Sequence, residues 1–343
     1  MENAIEFLWG KSGEVAARAR ADLPSFRLVN EAGGLPLAAI GFGPEKPEGP
    51  EGPEDPEDPE HPEFPEHPEF PEPPEHPEFP GHPLRRGGRC VGTVWEDPHA
   101  TYCALAGVLP PDLAAPRAAQ AAAIFPEIES LLAEAGMTFA NVVRTWFYVD
   151  RICEWYGEFN AARTAFFESR DVFNTFLPAS TGIGSANLDG AALTAGAVAV
   201  KPKDASVRAE IVESPLQAPA MAYRSSFSRA AEVIWPESRL LFVSGTASIK
   251  PNSHEVAYVG DIGKQVDCTM KAVGAILESR GYGWGDVSRA IVYLKEPSFR
   301  AAWQAWLAAR GLPGDFAAET VCDVCRDDWL FEVELDAKRK VGS

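Results

Sequence analysis

The sequence repeats itself at a constant offset of 145 residues. The repeat runs without a gap over about 30 positions, which is too long for a chance match. The identical pairs include Gln120 with Gln265, Gly136 with Gly281, Arg144 with Arg289 and Tyr148 with Tyr293. A chain built in this way is expected to fold into two similar domains, so each candidate site can be compared with its counterpart in the other copy.

Each copy contains the same order of predicted elements. A stretch with helical spacing ends at a glycine suited to a helix C-cap, Gly136 in one copy and Gly281 in the other. A β-rich strand, a second helix and a closing pair of strands follow, and further strands precede the first helix. This order predicts an α+β fold with helices packed on one face of a mixed sheet. We expect an N-terminal domain over residues 1–203 and a C-terminal domain over residues 217–340.

A tract at residues 43–83 interrupts the first domain with proline at about every third position, mostly as Pro-Glu-x. Such a sequence favours an extended polyproline II conformation and has too few apolar groups to fold alone. Four of the six histidines lie in it, which leaves a metal-binding tail as the alternative to a disordered insertion. We predict that deleting residues 44–80 leaves function near normal. Residues 1–42 are expected to add strands to the first domain.

The charge and composition favour a cytoplasmic protein. The net charge is −19, but residues 44–80 carry 13 more acidic than basic groups, so the remainder holds only about −6. This mild acidity argues against nucleic acid as a partner. The sequence has no apolar run of the roughly 20 residues that span a bilayer and no secretory signal pattern. Six scattered cysteines fit a reducing compartment better than a disulfide scaffold.

Two carboxylates interrupt the last predicted strand, in the stretch CDVCRDDWLFEVEL. Glu332 and Glu334 share one face of that strand because alternate side chains point the same way. Aligning Leu193 with Leu330 places Ala195 opposite Glu332, so the first copy lacks this carboxylate. Three readings stay open here: an exposed polar face, a metal or redox site, and a catalytic acid.

The two cysteines before that strand, Cys322 and Cys325, have C-x-x-C spacing. A structural zinc site needs four ligands, and no second pair lies nearby in the sequence. A thioredoxin-like motif opens a helix, whereas this one precedes a strand. We therefore expect no metal, and we expect Cys325 to be a wall residue close to Glu332.

Three further segments are candidates for ligand contacts. Tyr156 and Arg163 lie seven positions apart on a predicted helix, on one face, where they could clamp a carboxylate. The small residues of SGTAS, including Gly245 and Ala247, would let a ligand approach the backbone closely. The stretch STGIGS is similar to a phosphate loop, but no lysine follows it.

Several stretches together resemble one family, the two-domain chorismatases and hydroxybenzoate synthases of the Rid/YjgF superfamily. They are RTWFYVDRICEWYGEFNAARTAFF, PASTGIGS, GAALTAGAVAV, YRSSFSRA, FVSGTASI and VCDVCRDDWLFEVELDA. The resemblance implies two tandem Rid/YjgF-like (chorismate-mutase-like) domains and a homotrimer. It also implies cleavage of the enolpyruvyl ether of chorismate without a cofactor, with the active pocket in the C-terminal domain.

The same resemblance implies roles for individual residues. Glu332 would be the catalytic acid that protonates the enolpyruvyl methylene carbon. The residues implied to contact the substrate are Tyr156, Arg163, Tyr223, Arg224, Gly245, Ala247 and Cys325. Cys325 occupies the place of a cysteine that accompanies 3-hydroxybenzoate formation, whereas Ala247 is typical of the branch that hydrolyses chorismate to a dihydroxycyclohexadiene carboxylate. We favour 3-hydroxybenzoate and keep the hydrolytic product as the alternative.

Two other functions fit a duplicated fold of this type. An imine deaminase of the Rid type would carry an arginine just before the closing strand pair, where this chain has Ala318 and Glu319. A non-catalytic small-molecule binder needs no acid at all, so replacing Glu332 by Gln would cost it little affinity.

Overall fold

The computed structural model describes residues 81–341 apart from Arg224, Asn252 and His254, with only the backbone of Tyr223. Residues 1–80 lie outside this range, and with them most of the proline-rich tract and the predicted N-terminal strands. The limits of the first domain therefore stay a prediction. None of the described helices is long and apolar enough to cross a membrane.

The first domain is a six-stranded mixed sheet with order β1-β2-β3-β6-β4-β5 and two helices. Its strands are β1 (His82–Arg86), β2 (Arg89–Glu96), β3 (Ala100–Val108), β4 (Val142–Val149), β5 (Ala179–Gly184) and β6 (Leu193–Pro202). Its helices are α1 (Arg117–Glu134) and α2 (Ile152–Ser169). β5 runs parallel to β4, and the other pairs are antiparallel.

The second domain repeats this plan with order β11-β10-β12-β9-β8-β7. Its strands are β7 (Arg208–Val212), β8 (Ala230–Ile234), β9 (Ser238–Ala247), β10 (Val287–Leu294), β11 (Ala318–Val321) and β12 (Phe331–Lys340). Its helices are α3 (Ile262–Ser279) and α4 (Arg300–Ala308). The predicted α+β class with two duplicated domains is confirmed.

The predicted helix ends agree with the backbone. Gly136 and Gly281 both have positive φ, 65° and 73°, directly after α1 and α3. A side chain at either position would strain this left-handed conformation, so glycine ends both helices. The first helix of each copy therefore ends in the same way.

The alignment of the two closing strands was wrong by one residue. Val149 pairs with Leu193 in the first sheet, and its repeat partner Leu294 pairs with Phe331 in the second. The counterpart of Glu332 is therefore Thr194, not Ala195. Single-residue register in a strand is set by cross-strand pairing, which the sequence pattern of an apolar run does not define.

The two sheets pack face to face, and the helices cover the outer faces. Helices and sheet form separate apolar cores in each domain, and a third core between the two sheets contains residues from both domains. In that third core the Trp235 Nε1 donates a hydrogen bond to Tyr102 Oη at 2.8 Å, and Tyr102 Oη donates to Asp97 at 2.8 Å. β5 and β9 also meet at the interface, which brings the STGIGS and SGTAS segments together.

Candidate active site

A cavity opens where β5 and α2 of the first domain meet β9 and β12 of the second. Six residues that the sequence analysis selected line it: Tyr156, Arg163, Gly245, Ala247, Cys325 and Glu332. Eight more complete the lining: Ser180, Gly182, Ser225, Phe227, Arg229, Ile249, Arg326 and Trp329. Both domains therefore contribute to one pocket. Arg224 and the side chain of Tyr223 lie outside the described residues, and their roles stay predictions.

Glu332 lies on the central strand β12, paired with Tyr293 of β10 and Ala247 of β9. Its side chain is only 4% exposed, so the reading of an exposed polar face is wrong. Apolar residues of β12, such as Val333, point into the helix-covered core, which leaves Glu332 on the face toward the first domain. None of the described side chains donates a hydrogen bond to its carboxyl group.

The electrostatic environment of Glu332 favours the protonated acid. Burial, and to a smaller extent the negative charge of Glu334, raises its pKa from the ordinary 4.5 to about 8. Arg144 and Arg229 act in the opposite direction but do not outweigh the burial. Glu332 is therefore mostly protonated at neutral pH, with a proton available to a ligand in the cavity.

Gly245 creates the space that the Glu332 carboxyl group occupies. A Cβ at position 245 would overlap Glu332 Oε1 and lie 3.1 Å from the Thr181 methyl group. The Gly245 N–H donates a hydrogen bond to Thr181 Oγ1 at 3.0 Å, which fixes this part of β9 against β5. Glycine is required here for close approach and not for a turn.

Tyr156 and Arg163 both reach the cavity from α2, whereas their spacing predicted only that they share one face of that helix. Arg163 belongs to the same helix face as Phe159 and Phe166, and it is only 2% exposed. Its guanidinium lies over the rings of Phe159 and Phe227, at 5.3 and 5.6 Å from their centres, and hydrogen-bonds to Asn160. Such a site holds a cation rigidly at the cavity wall, where it can bind an anionic group.

Arg229 is a pocket residue that the sequence analysis missed. Its guanidinium donates to the Ala218 carbonyl at 2.9 and 3.1 Å and lies 5.7 Å from the Phe227 ring centre. It is 3% exposed and lines the cavity. The segment YRSSFSRA is among the sequence candidates, but only Tyr223 and Arg224 were assigned contacts with the substrate. Small and large residues alternate from Ser226 to Arg229, and this pattern is the signal that could have identified Arg229.

The cysteines of the C-x-x-C segment are free thiols. Cys325 lines the cavity, and burial followed by the nearby Glu332 raises the pKa of its thiol well above the ordinary value. Burial likewise raises the pKa of Cys322. Neither thiol forms a thiolate at neutral pH, so Cys325 contributes size and a weak dipole. No cluster of three or more possible metal ligands occurs among the described residues.

In a comparison with known proteins, two family models match the chain, one in each domain. "Chorismatase FkbO/Hyg5-like, N-terminal" matches residues 86–196, and "Endoribonuclease L-PSP" matches residues 217–339. A chorismatase of Streptomyces rapamycinicus is 27% identical over 242 residues, which cover 63% of this chain and 69% of the relative. A crystal structure of a chorismatase has a TM-score of 0.59 at 21% identity, over 74% of this chain and 80% of that one. The last match establishes a shared fold.

Proposed function

The chain belongs to the chorismatase family of two-domain Rid/YjgF-like proteins, and from this premise we propose that it cleaves chorismate and releases pyruvate without a cofactor. The observation that carries the proposal is the burial of Glu332, which raises its pKa, in a cavity that arginines also line. Chorismate carries two carboxylates and an acid-labile enol ether. A site for it needs cations and one proton donor, and this cavity contains both.

Glu332 is proposed to donate its proton to the methylene carbon of the enolpyruvyl group. The double bond supplies the electron pair for the new C–H bond, and the adjacent carbon becomes an oxocarbenium ion. A neutral carboxylic acid is required for this step, which agrees with the raised pKa of Glu332. The carboxylate formed after transfer is then close to the cation and can stabilise it electrostatically.

Capture of the cation decides the product. Addition of water followed by loss of the ring alkoxide gives pyruvate and a dihydroxycyclohexadiene carboxylate, with one water consumed. Capture by the ring hydroxyl leads to pyruvate and 3-hydroxybenzoate, with no net water consumed. We favour 3-hydroxybenzoate because Cys325, which the family resemblance associates with that product, lines the same cavity as Glu332. Ala247 in the same cavity keeps the hydrolytic product as the alternative.

Arg163 and Arg229 are proposed to bind substrate carboxylates. Arg163 comes from the first domain and Arg229 from the second, and both are held by neighbouring groups before a ligand arrives. Tyr156 lies on the Arg163 face of α2, and burial raises the pKa of its hydroxyl, so it remains a neutral hydrogen-bond donor. Such preorganisation lowers the entropic cost of orienting the enol ether toward Glu332.

The test is incubation of the purified protein with chorismate, with pyruvate assayed enzymatically and aromatic products separated by chromatography. We expect equimolar pyruvate and 3-hydroxybenzoate, and a loss of about 10²–10⁴-fold in Glu332→Gln. In D₂O the pyruvate methyl group should carry one deuterium from the acid. Pyruvate that forms equally fast with Glu332→Gln would contradict the assigned acid.

The same experiment separates the rival functions. Release of no pyruvate at all, with chorismate bound equally by the parent and Glu332→Gln, would indicate a non-catalytic binder. An imine deaminase is disfavoured because Ala318 stands in β11 where that activity would call for an arginine, and the next residue, Glu319, is paired with Arg300.

A further inference from the structure

Two residues beyond Glu332 on β12, Glu334 lies in a cluster of charged side chains from both domains. Arg144 of β4 donates a hydrogen bond to Glu334 Oε2 at 2.7 Å, and the Trp146 Nε1 donates at 3.0 Å. Arg289 of β10 forms an ion pair with the other carboxylate oxygen. Arg144 and Glu334 are fully buried. We call Arg144, Arg289, Glu334 and Asp336 the interdomain cluster.

The two arginines of this cluster are the matched residues of the internal repeat. Arg144 and Arg289 occupy the same position in β4 and β10, and both point to Glu334. The first copy has Gly196 and Val198 where the second has Glu334 and Asp336, as the strand pairing shows. The duplicated arginines therefore converge on carboxylates that only the second domain supplies.

Glu334 is ionised in this setting. Burial by itself would raise its pKa, but the ion pairs with Arg289 and Arg144 and a hydrogen bond with Thr181 lower it below the ordinary value. Removing one partner from a buried ion pair strongly destabilises the fold because it leaves an uncompensated buried charge, so Glu334 and the two arginines are expected to stay ionised together. A permanent negative charge is thus held on the strand face that Glu332 occupies.

The interdomain cluster also contacts the pocket wall. Arg144 Nη2 donates a hydrogen bond to Thr181 Oγ1 at 2.6 Å, and the same oxygen accepts the Gly245 N–H. Gly245 in turn packs against the Glu332 carboxyl group. One chain of contacts therefore connects the buried ion pair to the acid in the cavity.

We propose that Glu334 is a positioning residue that holds Glu332 in its acid form, through a buried carboxylate–arginine cluster shared by the two domains. This proposal rests on the function proposed above. Alternate residues of a strand are about 7 Å apart, close enough for a negative charge to oppose ionisation of its neighbour. Glu334 thus carries the negative charge, and Glu332 carries the proton.

Other ionisable groups around Glu332 come from every packed element. They are Tyr293 on β10, Arg144 on β4, Tyr156 and Arg163 on α2, Arg229 before β8, and Cys322, Cys325 and Arg326 in the segment before β12. The tyrosines and thiols stay neutral near pH 7, since burial raises their pKa values. Among the described residues that act on Glu332, Glu334 is therefore the anion that opposes the nearby arginines.

The decisive variant is Glu334→Gln, which keeps the shape and removes the charge. Arg144 and Arg289 would then have Asp336 and Glu332 as the remaining carboxylates, so ionised Glu332 becomes favourable. We expect the alkaline limb of kcat/KM for chorismate to move down by about one pH unit. Activity near neutral pH should fall, and acidic buffer should restore it. A merely structural role would lower activity at every pH and leave the midpoint in place.

The ionisation of Glu332 is also measured without turnover, by NMR titration of the protein labelled with ¹³C at the glutamate carboxyl carbon. Glu332→Gln identifies the signal by its disappearance. This readout separates the two proposals: a wild-type protein that releases no pyruvate would refute the chorismatase activity, while the midpoint would still decide the role of Glu334. A folded Glu334→Gln with the wild-type midpoint would overturn the role proposed for Glu334.

Two matched variants serve as controls. Asp336→Asn removes a carboxylate from the same cluster, two residues farther along the strand from Glu332. It should shift the titration midpoint of Glu332 much less, and an equal shift would overturn the proposal.

Arg289→Gln is the substitute variant if Glu334→Gln does not fold, because the Arg289 side chain is 13% exposed and lies at the edge of the cluster. Its loss leaves the Glu334 charge less compensated, so the Glu332 midpoint should rise. An unchanged or lower midpoint would contradict the proposal.

Discussion

The carboxyl group of Glu332 occupies the space that a side chain at position 245 would need. The two residues lie on adjacent strands, β12 and β9, and the cavity opens beside them. A proton donor held in this way has little freedom to turn away from a ligand. The contact therefore links a small residue in a strand to the orientation of the proposed acid.

Gly245→Ala tests this contact directly. The added methyl group would displace the Glu332 carboxyl, and a displacement of about 1 Å costs on the order of 10²-fold in rate. We expect kcat for chorismate cleavage to fall by that factor with a smaller change in KM. Gly285→Ala is the matched control, since a Cβ there meets nothing within 4 Å. Equal activity in both variants would argue against the steric role of Gly245.

The pH dependence of activity follows from the raised pKa of Glu332. The acid form is present below the pKa, so kcat/KM should stay high through neutral pH and fall as pH rises through about 8. A glutamic acid with its ordinary pKa would already lose its proton near pH 4–5. The measurement is the initial rate of pyruvate release over a series of buffers. A decline that begins below pH 6 would contradict the raised pKa of Glu332.

Arg163→Lys tests the proposed carboxylate site on α2. Lysine keeps the charge but loses the planar fork and the stacking between Phe159 and Phe227. We expect KM for chorismate to rise by about tenfold with a smaller effect on kcat. Arg170→Lys is the control on the same part of the chain, because Arg170 pairs with Glu129 at the surface. A comparable rise in KM for Arg170→Lys would remove the specific role of Arg163.

Cys325→Ala tests what decides the product. Loss of the sulfur enlarges the cavity near Glu332, so a water molecule can reach the oxocarbenium ion more easily. We expect the share of the dihydroxycyclohexadiene carboxylate to rise relative to 3-hydroxybenzoate, as measured by chromatography, while total pyruvate changes less. Cys268→Ala, a substitution on α3 away from the cavity lining, should keep the wild-type ratio. An unchanged product ratio in Cys325→Ala would indicate that other pocket residues determine the product.

Tyr102→Phe tests the hydrogen bonds between the domains. The hydroxyl accepts from Trp235 Nε1 and donates to Asp97, and its removal leaves a buried indole N–H without its partner. We expect the free energy of unfolding to fall by about 1–3 kcal/mol in urea denaturation. Tyr258→Phe at an exposed position should change it much less. Equal stability of the two variants would indicate that water replaces the lost hydroxyl.

Much of the fold was encoded locally. The offset of 145 predicted the duplication, and glycine at positions 136 and 281 marked the ends of two helices. The β-rich strand predicted after the first helix of each copy is present as β4 and β10. These features depend on side-chain periodicity and backbone freedom, which neighbouring residues along the chain determine. Helical spacing likewise predicted that Tyr156 and Arg163 share one helix face, and that face lines the cavity.

The sequence by itself determined that Glu332 and Glu334 share one strand face, but only the tertiary structure decided that they differ in charge. Glu334 meets Arg144, which is 190 residues away in the chain, whereas Glu332 faces a cavity with no described partner for its carboxyl. Arg229 was overlooked, and the strand alignment slipped by one residue, for the same reason. Burial and ion pairing depend on distances between segments that are remote in sequence, and these distances exist only once the two sheets have packed together.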